Sequence, residues 1–409
     1  MRRHPFVLER AWRLTPLGGS DEGAVSHLEV GDGTREQYLL LPLAPALSYV
    51  VAPARGAALT FKTTDFRIEP LGAAQSAWVR LRLALLFKKK KYLAFDSFAL
   101  FSLGRKIERK RFTRFNQHMS ELGVVLDGAL VAKHPELVYG WPAAEAVPRP
   151  APPGAATAAV VAHMYYEDTW PDIAGALKTL DIPFDLIVTT VSGRETLVET
   201  IRRDFPHAEI WVIENRGRDV RPFLALLEEG RLDRYLCVCK IHGKKSNDGG
   251  RMPYVGALWR RRLLFDLLAA PGLAARIVAA FRRDPSIGMI GPAAFRLPSK
   301  TYSEALSWST NRPLVLKIAE RMGVSRAAFR LDFFGGTMFW ARPSALKPLR
   351  DLGLAESFAE ERGLLDGGLE HAVERLFATS VVVAGQRLVN SDDPALAAAP
   401  HGEAAPAGG

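Results

Sequence analysis

Four short stretches of this 409-residue chain gather side chains that carry charge or pass protons, and each closes an apolar run. The run Val160–Tyr166 closes on His163-Met164-Tyr165-Tyr166-Glu167-Asp168, and Phe184–Thr190 on Thr189-Thr190. Glu209–Ile213 leads into Glu214-Asn215-Arg216-Gly217-Arg218-Asp219, and Leu236–Ile241 into Lys240-Ile241-His242-Gly243-Lys244-Lys245-Ser246. Arg216, Arg218, Lys240, Lys244 and Lys245, with His242, are a set of donors able to neutralise a diphosphate without a metal ion. Gly217 and Gly243 let backbone approach a ligand closely. A basic loop is often no more than an exposed one. Lys240 and His242 speak against that, because they share a strand with Val238 and Ile241 that reads as buried.

Two later segments add candidates. Asp332-Phe333-Phe334-Gly335-Gly336-Thr337-Met338-Phe339-Trp340 joins aromatic rings to paired glycines, which make room for a sugar; a core strand with a bulge is the plainer alternative. In Asp366-Gly367-Gly368-Leu369-Glu370-His371, Asp366 stands where it would cap a helix starting near Gly367, and Glu370 and Glu374 follow on one face. A capping aspartate is usually structural, and a catalytic base is the sharper reading.

The elements that must hold these groups follow from the rhythm of the chain. Apolar runs recur about every 25 residues from residue 159 on, with helix-compatible segments between. That interval is the mark of right-handed crossover units and a parallel sheet. Ligands of such sheets lie beyond the carboxyl ends of the strands, where the polar stretches stand. Pro142–Ala158 contains five prolines and reads as a spacer, dividing a β-rich domain (1–141) from an α/β domain (159–392), with a frayed tail at 393–409. In the first domain Trp78–Leu83 alternates like a strand, and Trp12–Gly18 is echoed by Phe66–Gly72. A small β-sandwich with helices over roughly 92–135 is expected.

The net charge of +10 is localised: between Arg80 and Arg114 twelve basic residues face only Asp96 and Glu108. Phe87, Tyr92, Phe95, Phe98, Phe101, Phe112 and Phe115 interrupt them. Such a segment suits the surface of an anionic membrane, or a solvated face beside a small core; no nucleic-acid-binding module accompanies it. Two cysteines exclude a disulfide scaffold, and Cys237 and Cys239 read as buried strand residues. No phosphate-binding GxxxxGK[ST] loop, GxGxxG turn or metal-ligand spacing is present. The uncharged window Gln37–Ala54 has membrane length, but Pro42, Pro45 and Pro53 argue against a span. The opening residues lack an apolar core of signal-peptide length, so a cytoplasmic protein is expected, peripheral at most to the inner face of the membrane.

In order and spacing, HMYYEDTW at His163–Trp170, NRGRD at Asn215–Asp219, KIHGKKS at Lys240–Ser246, FGGTMFWARP at Phe334–Pro343, and Asp366-Gly367-Gly368 with His371 and Glu374-Arg375 resemble the rhamnan synthesis protein F family. The resemblance covers about residues 158–390. It implies a glycosyltransferase of cell-surface polysaccharide assembly with a GT-A-like nucleotide-diphosphosugar transferase domain. Distant relatives hold a divalent metal with Asp-x-Asp at the end of a middle strand. Here that strand ends in Lys-Ile-His-Gly-Lys-Lys, which argues against a metal cofactor. By the same analogy Glu361 or Asp366 is the base. The donor, a sugar nucleotide such as dTDP-rhamnose, would set its diphosphate against Lys240, His242, Lys244 and Lys245. Asn215 and Asp219, beside Arg216 and Arg218, would hold nucleoside or sugar hydroxyls. His163, Tyr165, Trp308, Asn311, Gly336, Trp340 and His371 are expected along the sugar or the acceptor glycan. The competing reading is a carbohydrate- or phosphopolymer-binding protein that kept the sheet and lost the chemistry.

Overall fold

A computed structural model describes residues 10–17, 25–43, 47–63, 65–85, 93–104, 109–110, 112–113, 128–141, 157–243, 245, 253–300, 302–361 and 366–397. The chain forms two units, residues 1–139 with 246–258 and residues 140–245 with 259–409. Of the spacer expected at 142–158, residues 142–156 lie outside the described residues, and Ala158 is already a buried strand residue. Of the tail expected at 393–409, residues 398–409 lie outside, whereas Pro394–Ala397 is not frayed but forms a short helix with Leu396 buried.

In the first unit the strands are β1 (Trp12–Pro16), β2 (Val25–Gly31), β3 (Glu36–Pro42), β4 (Ser48–Pro53), β5 (Thr60–Lys62), β6 (Phe66–Pro70), β7 (Leu93–Ala94) and β8 (Phe98–Leu103). They make one sheet in the order β6-β1-β4-β8-β7 and another in the order β3-β2-β5. One buried cluster draws on both sheets, with Leu14, Tyr49, Val51, Phe66, Phe98 and Leu100 from the first and Leu28, Val30, Leu39 and Leu41 from the second. The two echoed segments are strands β1 and β6, and they pair antiparallel with each other from Trp12↔Pro70 to Pro16↔Phe66.

Two expectations for this unit need correction. Trp78–Leu83 is not a strand but part of the helix Ala73–Leu85. Among its described side chains Ser76 and Val79, three apart, are buried, while Trp78 and Leu81 are more than half exposed. The alternation of apolar residues was incidental to a segment rich in Ala, Leu, Arg and Gln, all good helix formers. Likewise 93–103 is strand, not helix: Phe95 N–H bonds to Phe98 O at 2.8 Å across a tight turn, and β8 fills the gap beside β4.

The second unit is built on β9 (Ala158–His163), β10 (Asp185–Val191), β11 (Glu209–Ile213), β12 (Cys237–His242), β13 (Ile287–Gly291), β14 (Arg296–Leu297), β15 (Phe333–Phe334), β16 (Phe339–Ala341) and β17 (Arg387–Asn390). Seven of these form a sheet in the order β11-β10-β9-β12-β16-β13-β17, parallel except for β16; β14 and β15 pair separately. Every residue of β9 and of β12 is buried, as strands covered on both faces require; β9 reads accordingly as an apolar run up to His163, whereas β12 carries Lys240 and His242 into the interior. The chain runs outward from β9 to β10 and β11, then returns to lay β12 on the other side of β9. Between β9 and β12 the direction of winding therefore reverses, and the carboxyl ends meet in register at His163↔His242. Such a reversal opens a crevice above the sheet.

Helix Trp170–Lys178, which follows β9, is anchored by a buried charge. Asp172 accepts from Arg260 Nε at 3.1 Å and Arg261 Nε at 2.9 Å, two arginines of the helix Pro253–Leu264 that follows β12. One carboxylate thus serves two guanidinium groups, of which that of Arg260 is buried. Replacing Asp172 by Asn should therefore cost about 3–5 kcal/mol, the scale for stranding a buried charge, read as a fall in the urea midpoint at constant slope. An unchanged midpoint would show that the pair does not anchor the helix.

Candidate functional site

At the crevice the side chains of Lys240 and His242 lie on one face of β12, because two residues separate them on a strand. Lys240 is 1% exposed. Its ammonium forms a short contact with Asp219 Oδ2 and donates to the Thr337 carbonyl at 3.0 Å. Asp219 stands at the start of the helix Val220–Glu228, after β11, and also accepts from Thr337 Oγ1 at 2.9 Å. His242 Nε2 is 2.9 Å from the Gly336 carbonyl and 3.8 Å from Asp219 Oδ2. A carbonyl only accepts, so the His242 proton sits on Nε2. His163, across the register, has its Nδ1 3.0 Å from Thr189 Oγ1.

Burial dominates the electrostatics. It pushes His163 down to about 4; the Asp219 charge partly opposes this and Lys240 reinforces it. Burial alone would raise Asp219, but His242 and Lys240 more than offset it and hold the carboxylate well below its ordinary range. The cluster is thus an ionised Asp219 between two basic groups, beside a neutral His163.

A second network lies where Asn215-Arg216 meets Glu360-Glu361. Glu361 N–H donates to the Asn215 carbonyl at 3.3 Å, and Arg216 bridges Glu360 in antiparallel fashion. This brings Arg218 onto Glu361 in a two-pronged contact, Nε to Oε2 at 3.1 Å and Nη2 to Oε1 at 3.4 Å. Arg218 Nη1 is also 3.3 Å from His371 Nε2, whose other ring nitrogen is 3.2 Å from Glu370 Oε1. That nitrogen, Nδ1, accepts the Gly368 N–H at 3.3 Å, which ties the ring to the start of the helix Leu369–Val383. Partial burial would raise Glu370, but the hydrogen bond from His371 and the nearby charges bring it below its ordinary value. Glu374 Oε1, one turn on, accepts the Gly336 N–H at 2.7 Å.

The backbone is bent to make these contacts. Gly217 and Arg218 have φ of 59° and 52°, and Gly336 and Thr337 91° and 51°. A Cβ on Gly217 would lie 2.4 Å from the Phe358 ring. Ser309, at φ 46°, is the third non-glycine residue in this region among those described. It precedes Thr310 and Asn311, which hold Asp366: Asn311 Nδ2 donates to Oδ1 at 2.6 Å and Thr310 Oγ1 to Oδ2 at 3.2 Å.

Several sequence expectations change. Lys240 does not sit at the rim; parity with Val238 on a doubly covered strand turns it inward onto Asp219, so it does not present its charge to solvent. Asp366 does not cap the following helix, which runs Leu369–Val383 behind Gly368. Burial would raise Asp366, but hydrogen bonds from Asn311, Ser309 and the backbone hold it well below the usual carboxylate range. Trp340 is wholly enclosed, with Nε1 donating to the Leu267 carbonyl at 2.9 Å, and Trp308, Asn311 and Phe339 are buried too. None of the four offers a face on which a sugar ring could stack.

Other groups are at the surface. Asn215 is exposed; Arg216 pairs with Glu214 at 3.2 Å. Lys245 forms a short pair with Asp168 and stands over the Tyr166 ring at 5.2 Å, whereas Lys244 lies outside the described residues. Tyr165 is half-buried under the Arg194 guanidinium at 4.9 Å. Gly243 is required where it is, since a Cβ there would lie 2.3 Å from Thr169 Oγ1. Sequence reasoning passed over Thr337 and Arg194. Thr337 was hidden in an aromatic run, and only the doubled glycine before it hinted at a left-handed turn. Among the described residues no three His, Cys, Asp or Glu side chains converge as a metal centre.

Taken together, fold and site define a mixed α/β protein with a buried ionised cluster at the switch point of a mostly parallel sheet. The family model described as rhamnan synthesis protein F matches residues 129–385, more than half of the chain, and the chain belongs to that family. Proteins named uncharacterized protein WxcX from two strains of Xanthomonas campestris pv. campestris are 32% identical over 274 residues, 64% of this chain and 37% of theirs. The chain therefore spans little more than a third of the length of these relatives.

Lys240→Met is expected to lower stability by about 3–5 kcal/mol because it strands Asp219, and Lys240→Met with Asp219→Leu should recover much of that. Chemical denaturation of the three proteins decides it; additive losses would mean the two groups are not coupled. His163 generates a pH dependence. Its pKa lies below the ordinary 6.5, so the unfolded chain binds the proton first as pH falls. Its contribution should be whole above pH 6.5 and drain away toward about 4, by at most about 3 kcal/mol. In His163→Gln that part of the pH slope should vanish.

Proposed function

We propose that the second unit is a glycosyltransferase of cell-surface polysaccharide assembly that moves a sugar, rhamnose by its family, from a nucleotide diphosphate onto a growing glycan. The observation that carries this reading is the convergence of Asp219, Lys240, His242 and His163 at the crevice between β9 and β12, with Glu361 on Arg218 beside them. A crevice at a switch point is where open α/β sheets take nucleotides, and the family supplies the polymer. The strand pattern is compatible with a GT-A-like domain.

In this mechanism the donor diphosphate lies along the rim, against Arg216, Arg218 and Lys245. Lys240 and His242 act from behind. They keep Asp219 ionised and hold the Gly336–Thr337 turn, so that Asp219 with Asn215 receives hydroxyls of the donor. Glu361 is the base that removes the proton from the acceptor hydroxyl as it attacks the anomeric carbon. Asp366 is a weaker choice because hydrogen bonds from Asn311, Ser309 and the backbone hold its carboxyl well below the ordinary range, and a carboxylate so stabilised holds protons poorly. Charge on the departing diphosphate is met by the rim cations, without a metal cofactor. The reaction runs on the cytoplasmic side of the membrane.

Glu361→Gln should lower turnover about 10²–10⁴-fold while leaving donor binding in place, whereas Asp366→Asn should act mainly on stability or acceptor KM. Thermal shifts with dTDP-, UDP-, GDP- and CMP-sugars, with and without Mn²⁺, would report the nucleotide and the metal requirement together. Absence of transfer and hydrolysis with every donor, alongside retained glycan binding, would favour a non-catalytic carbohydrate-binding protein. That second reading has an observation behind it: Arg216, Arg218 and Lys245 are each paired with a carboxylate of the protein itself.

A further inference from the structure

The described cations that end or directly follow β10, β11 and β12 are Arg194, Arg216, Arg218, Lys240 and Lys245. Four of them are already matched. Arg216 pairs with Glu214 and Arg218 with Glu361, while Lys240 and Lys245 form short contacts with Asp219 and Asp168. Arg194 differs: among the described residues no carboxylate lies within ion-pair reach of it, although Glu195 follows it in the chain.

Arg194 stands just past the end of β10, where the helix Glu195–Asp204 begins. Its guanidinium lies over the Tyr165 ring at 4.9 Å. Tyr165 meets Tyr166 edge-on at 4.9 Å, and the Lys245 ammonium stands over Tyr166 at 5.2 Å. Arg194 follows β10, the two tyrosines follow β9 and Lys245 follows β12, so this row crosses the carboxyl ends of three neighbouring strands. It lies across the mouth of the crevice, and both tyrosines are half-buried.

The ring fixes how Arg194 is presented. Its Nε is enclosed with no hydrogen-bond partner, whereas the residue as a whole is half-buried, so its open edge is the terminal pair of nitrogens. An enclosed donor left unmatched is costly, and native proteins keep few of them without a reason. Beside it the chain makes a left-handed turn at Gly193, φ 76°, where a Cβ would meet nothing within 4 Å. A planar cation seated on a ring, next to open space, suits the paired oxygens of a phosphoryl group.

We infer that Arg194, seated on Tyr165, is the principal anchor of the donor's diphosphate. Arg216 and Arg218 contribute less, because a ligand must compete with the carboxylate each already holds. That the diphosphate belongs to a sugar nucleotide rests on the transferase reading; the anion site itself does not.

The test is isothermal titration calorimetry of the full chain with sodium pyrophosphate, at about 0.05 M salt so that charge is little screened. Arg194→Gln is expected to weaken binding about 10- to 100-fold, the scale of hydrogen bonds to a charged group. Arg194→Lys should recover only part of this, since an ammonium cannot grip two oxygens in a fork. Arg216→Gln should cost less than Arg194→Gln. Each variant is first checked for an unchanged melting curve. Undiminished pyrophosphate binding in Arg194→Gln, a larger loss in Arg216→Gln, or Arg194-dependent binding of glucuronate without binding of pyrophosphate would each overturn the proposal. Sugar transfer by a chain whose pyrophosphate affinity ignores Arg194 would remove the anchor and leave the transferase reading standing. Arg194-dependent binding in a chain that turns over no sugar nucleotide would support the anion site and count against transfer.

Discussion

The second unit depends on one ion pair. A lysine in a strand covered on both faces would be untenable alone, because an unpaired ammonium out of water costs several kcal/mol. Asp219 removes that cost, and in doing so it ties three separate parts of the chain together. Lys240 is at the end of β12, Asp219 at the start of the helix after β11, and Thr337 in the turn between β15 and β16; all three meet through the same carboxylate. The switch point is thereby closed from behind by charge, not by apolar packing. His242 adds a second hold on the same turn through the Gly336 carbonyl.

Around this pair the backbone accepts conformations that ordinary residues avoid. The described non-glycine residues with positive φ are Arg218, Ser309 and Thr337. Each aims a group at the rim: Arg218 at Glu361, Thr337 at Asp219, and Ser309 through its neighbours at Asp366. Left-handed conformations at non-glycine residues cost about 1–3 kcal/mol each and persist only where surrounding contacts impose them. Within the second unit they stand beside the contacts of Asp219, Glu361 and Asp366.

The two units differ in how openly their sequences announce them. In the second, Val160–Tyr166, Phe184–Thr190, Glu209–Ile213 and Leu236–Ile241 each overlap a strand of the parallel sheet, and β9, β10 and β12 read most clearly because they are buried almost throughout. In the first, one-sided packing leaves short motifs that fit either structure. Trp78-Val79-Arg80-Leu81 satisfies a strand template and a helix template alike, and only contact with Leu71 and Val50 in the second small core of that unit decides for the helix. Phe98 and Phe101 likewise look like membrane-facing rings within a basic run until β4 pairs with β8 and takes them into the core.

From the sequence by itself came the α/β class, the strand ends as the place where charged side chains gather, the burial of Cys237 and Cys239, and the concentration of charge between Arg80 and Arg114. These are properties of local pattern and composition, and nothing distant can change them. Only the tertiary structure could decide that Lys240 points at Asp219, that Arg218 grips Glu361 143 residues away, and that Asp366 answers to Asn311 instead of capping its own helix. A side chain's partner is chosen by which strands lie side by side, and the order β11-β10-β9-β12-β16-β13-β17 is a global outcome of burying every apolar face at once.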